Sequence, residues 1–83
     1  MDKNEFIRIF DGDSGEWDGD NALQGLKIIE KYVPGRGIEG AEHEIIYSVT
    51  VDQLVEGGIT KEDAEELRRL NWMVEYGAMA CFV

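Results

Sequence analysis

HEIIYSVTVDQLVEGGITKEDAEELRRLN, residues 43–71, changes its hydrophobic period from two to nearly four, and that change decides the fold class. Across 43–51, Ile45, Tyr47, Val49 and Val51 alternate with Ile46, Ser48 and Thr50, and the run is rich in β-branched and aromatic side chains. Such a run predicts a strand. Thr50 and Gln53 then have capping-box spacing, and Gly57-Gly58 is a helix stop, so a short helix is expected over 51–56. Thr60 caps a second helix over 61–70: Asp63 sits three residues on, Ile59 can staple the first turn, and Ala64, Leu67 and Leu70 form its apolar stripe. Asn71 is its stop.

Outward from this stretch, WMVEYGAMACFV reads as a hairpin with strands over 72–74 and 78–82 and a turn at Glu75-Tyr76-Gly77. Trp72 is assigned to the core. On the other side, Asp20 is a candidate N-cap, Ala22, Leu23, Leu26, Ile29 and Val33 recur at helical spacing, and Pro34 ends the pattern, giving a helix over 20–33. Gly25 inside it costs about 1 kcal/mol relative to alanine, which implies a close approach by another element. PGRGIEG, residues 34–40, is read as a flexible connection. EFIRIF, residues 5–10, is too brief for its period to separate strand from helical turn, and we read it as a strand. The expectation is one α+β domain over 1–83, with a small antiparallel sheet of about three strands packed against helices.

Composition narrows the function classes. With 18 acids against 8 bases and a net charge of −10, the chain lacks the basic footprint that nucleic acid or an anionic membrane requires, and a basic protein is the favoured partner. An apolar content of 43% predicts a folded chain despite that charge. The single cysteine, Cys81, has no disulfide partner within the chain, and no apolar run resembles a signal or membrane segment. A cytoplasmic location, in a bacterial host, is therefore expected.

Several motifs fail on chemistry. GRGIEG, residues 35–40, spells the dinucleotide fingerprint, but it follows a helix and precedes a strand, the reverse of the order that aims amides at a pyrophosphate. FDGDSGEWDGDN, residues 10–21, resembles a calcium loop until Gly15, Glu16 and Ala22 fall where a ligand, a glycine and a bidentate glutamate are needed. A calcium-binding module stays as an alternative. His43 is the sole histidine, and nothing in the spacing brings it to Cys81 or a serine, so no catalytic residue, metal or cofactor is assigned. The expectation is a protein that is not an enzyme.

What the motifs leave unexplained is charge. Neither Ile9–Leu26 nor Gly37–Thr60 contains a lysine or arginine, whereas the acids of 61–70 have Arg68 and Arg69 at pairing distance. Asp11, Asp13, Glu16, Trp17, Asp18, Asp20, Glu39, Glu42 and Glu44 are accordingly the candidate partner-binding residues, Trp17 being an aromatic that either folds back onto the core or anchors a partner. Carboxylates at alternate positions of an extended segment repeat at about 6–7 Å, and such a row can occupy a basic channel in place of a nucleic-acid backbone.

A resemblance agrees with that reading. AEHEIIYSVTVDQL, ITKEDAEELRRLNW and MACFV resemble small uncharacterised proteins encoded by bacteriophages and prophages, a resemblance that covers about half of the chain. In size, acidity and mixed α/β character the chain is similar to anti-CRISPR proteins, which are nucleic-acid mimics of unrelated folds. The resemblance implies a phage-type inhibitor of a nucleic-acid-handling protein such as a CRISPR effector. The alternative is a structural or assembly protein of a phage or prophage, possible as a homodimer through its C-terminal strand, with acidity serving solubility alone.

Overall fold

The structure, a computed structural model, describes residues 1–11 and 21–82. Four helices pack on one face of a four-stranded antiparallel sheet. The elements run α1 (Lys3–Ile9), α2 (Asn21–Tyr32), β1 (Gly40–Glu42), β2 (Ile45–Thr50), α3 (Val51–Glu56), α4 (Lys61–Arg69), β3 (Met73–Glu75) and β4 (Ala78–Phe82), with sheet order β1-β2-β4-β3.

The α+β expectation holds, with one strand more than expected. Residues 40–42 of the assumed connection form β1, which pairs Gly40 with Tyr47 and Glu42 with Ile45. Gly-Ala-Glu has little strand propensity of its own, so this edge strand is made by its neighbour. Residues 5–10 are helical rather than extended. Asp2 caps α1 by accepting the Glu5 amide at 2.8 Å, Phe6 enters the core, and its ring stacks on Phe10 at the next turn. The strand expected over 43–51 is shorter at both ends: His43 takes a left-handed φ of 54° in the turn after β1, and Val51 is already the first residue of α3.

The helix ends follow the expected chemistry. Thr50 and Gln53 form the reciprocal capping box, and Thr60 accepts the Asp63 amide at 3.1 Å. Both α3 and α4 close with a left-handed residue, Gly58 at φ 84° and Asn71 at φ 67°. In each case two amides return to carbonyls of the last turn: Gly58 to Val55 and Ile59 to Leu54, then Asn71 to Arg68 and Trp72 to Leu67. These Schellman closures turn Ile59 and Trp72 inward, where both are buried.

The core lies between helices and sheet. Phe6, Ile29, Leu54, Leu67, Leu70 and Trp72 from the helical layer meet Val49, Met79 and Cys81 from the sheet. Gly25 has the role its cost implied: an added Cβ would overlap the Trp72 indole, with Cζ2 only 2.7 Å away. Trp72 Nε1 donates to the Asn21 carbonyl at 3.0 Å while Asn21 Nδ2 donates to the Leu70 carbonyl at 2.7 Å, bolting the start of α2 to the α4–β3 junction. Leu23, placed in the apolar stripe by spacing, instead points outward at 56% exposure, and Asn21, Gly25 and Ile29 are the buried face of α2.

One irregularity sets which face each residue of β2 uses. Ile46 pairs with Cys81 and Tyr47 with Ala80, but Thr50 pairs with Ala78, so β2 carries one extra residue between Tyr47 and Thr50. Ile46 and Val49, on opposite faces in strict alternation, consequently both meet the core. Tyr47 stays on the outer face.

Candidate acidic interface on the outer sheet face

With Met79 and Cys81 turned to the core, Ala78, Ala80 and Phe82 of β4 face outward. Their partners share that face: Ile45 and Tyr47 from β2, Met73 and Glu75 from β3, and Gly40 and Glu42 from β1 beyond them. Ala78 lies half-buried in this face, while Ala80, in the row of Tyr47 and Met73, is fully buried beneath its surroundings. Phe82 stands at one end, 45% exposed.

At the other end is the β3–β4 hairpin, whose two-residue loop is Tyr76-Gly77 with φ of 53° and 77°. Both residues are left-handed, the geometry for which Asn-Gly is preferred and to which a bulky aromatic is poorly suited. Tyr76 is also 93% exposed, so the fold obtains no burial from it. Burial, and after it the charges of Glu42 and Glu75, push the Tyr47 phenol above its ordinary 10.0. Both glutamates thus act on the same aromatic centre.

No lysine or arginine occurs in 40–50 or 73–82, the segments that make the whole sheet and its two hairpin turns. Among the described residues, Glu42, Glu44 and Glu75 enter no ion pair. The sequence-derived site is altered accordingly. Asp13, Glu16, Trp17, Asp18 and Asp20 lie outside the described residues, as does most of the calcium-like loop. Asp11 is exposed just beyond α1, a helix that packs on α3 and α4. Glu39 is held by Arg36 at 2.7 Å, and Asp52 by Lys3 at 3.2 Å from another helix, so the base-free run Gly37–Thr60 is partly neutralised in space. Glu42 and Glu44 remain, joined by Glu75, Tyr47 and Tyr76, which sequence reasoning did not assign. A Tyr-Gly hairpin loop was the available signal.

Elsewhere several polar groups are paired, although the buried Arg68 Nε has no hydrogen-bond partner among the described residues. Asp63 accepts from Lys31 at 2.6 Å and from the Tyr32 hydroxyl, and these two hydrogen bonds hold its carboxyl below 3.8. Arg69 donates to Glu66 at 2.9 and 3.0 Å. Cys81 is buried on the core face and burial pushes its thiol up, away from the thiolate a nucleophile needs, while His43 is exposed in the β1–β2 turn. Among the described residues no three metal-ligating side chains cluster, and no helix is long and apolar enough to cross a membrane. β4 lies inside the sheet, paired with β2 on one side and, over Ala78–Ala80, with β3 on the other; the edges are β1 and β3, three residues each.

Comparison with protein-family models, with curated proteins and with solved structures finds no match.

Proposed function

We propose that this chain is a non-enzymatic inhibitor-type binding protein whose negative surface occupies the basic, nucleic-acid-binding surface of a protein partner. The observation that carries the reading is the segregation of charge. Seven of the 8 lysines and arginines sit on α1, α2 and α4, Arg36 sits in the connection before β1, and the sheet has none. Acid spread for solubility has no need of such sorting. A CRISPR effector channel, met in the bacterial cytoplasm, is the kind of target this reading implies, with the carboxylates of residues 11–20 and of the Glu42–Glu44 turn as the charges that enter it.

The test is capture of partners from a bacterial lysate by the immobilised chain at low and high salt, followed by competition with nucleic acid. A basic partner released by salt and competing with nucleic acid is the expected result. Capture indifferent to salt and to nucleic acid would sink the reading. Replacement of Asp11, Asp13, Asp18 and Asp20 by asparagine should weaken capture while leaving the fold intact.

A further inference from the structure

We draw no further inference here: the strongest candidate, the open cleft of about 330 Å³ between α1 and the first residue of α4, lined by Met1, Glu5, Arg8, Ile9 and Lys61, sets an acid beside two exposed bases, and nothing in the structure shows what covers it.

Discussion

The helical layer and the sheet treat the same kind of charge in opposite ways. In the helical layer three carboxylates are met, Glu66 by Arg69 within α4, Asp63 by Lys31 across to α2 and Asp52 by Lys3 across to α1. Glu5, Glu56, Glu62 and Glu65 stand at the surface of this layer, which also carries seven lysines and arginines. In the sheet Glu42, Glu44 and Glu75 meet no cation among the described residues. The aromatic residues divide likewise. Trp72 is buried with its indole nitrogen satisfied, and Tyr76 stands exposed on a strained loop. One layer holds the fold together, and the other carries charges and an exposed aromatic that the fold does not use.

The largest effect should come from the helical side. Trp72→Ala removes the ring that fills the space over Gly25 and the donor to Asn21, and should cost about 3–5 kcal/mol in denaturant unfolding. Tyr76→Asn, at the matching position of the comparison, should move stability the other way by about 1 kcal/mol. A Tyr76→Asn variant that unfolds at lower denaturant would show that Tyr76 has a structural role.

Much of the helical layer is legible from sequence because its signals are local. Thr50 with Gln53, Thr60, Gly58 and Asn71 each act within one turn, and each appears where spacing placed it. Even the missed helix α1 was spelled out, by Asp2 and Glu5 at capping-box spacing with Met1 and Phe6 as its apolar staple. The sheet is less legible because its determinants are distant. β1 exists by pairing with β2, and the extra residue between Tyr47 and Thr50 that brings Ile46 and Val49 to one face has no local mark. Charge misleads for the same reason: a run without bases says nothing of Lys3 folding back onto Asp52.

Asp63 offers the next largest effect. It is mostly buried, and its two hydrogen bonds tie α2 to α4, so Asp63→Asn should cost about 1 kcal/mol. The pH dependence has a definite sign. Because the folded carboxyl lies below 3.8, its contribution is complete above that value and is lost as pH falls through the lowered folded value. Acid titration of the wild type should therefore show a loss of stability below pH 3.8 that the Asn variant lacks. Glu66→Gln on exposed α4 should cost less than about 0.5 kcal/mol, and less again in high salt.

The smallest effect tests the sheet directly and needs no partner. Tyr47 is held above 10.0 by burial first and by Glu42, Glu75 and Tyr76 after it. A phenol raised in the folded state keeps its proton longer than the unfolded chain does, so its contribution to stability is present below pH 10.0 and lost as pH rises past the raised folded value. Glu75→Gln removes one of the charges that oppose ionisation and leaves burial in place. In an ultraviolet titration the Tyr47 phenol should then ionise at lower pH than in the wild type while the melting temperature near neutral pH stays the same. An unchanged titration would mean that Glu75 does not act on Tyr47, and β2 and β3 would not form one electrostatic surface on the outer face of the sheet. A matching shift from Glu42→Gln, additive with the first, would show that the opposite corners act independently on the same ring.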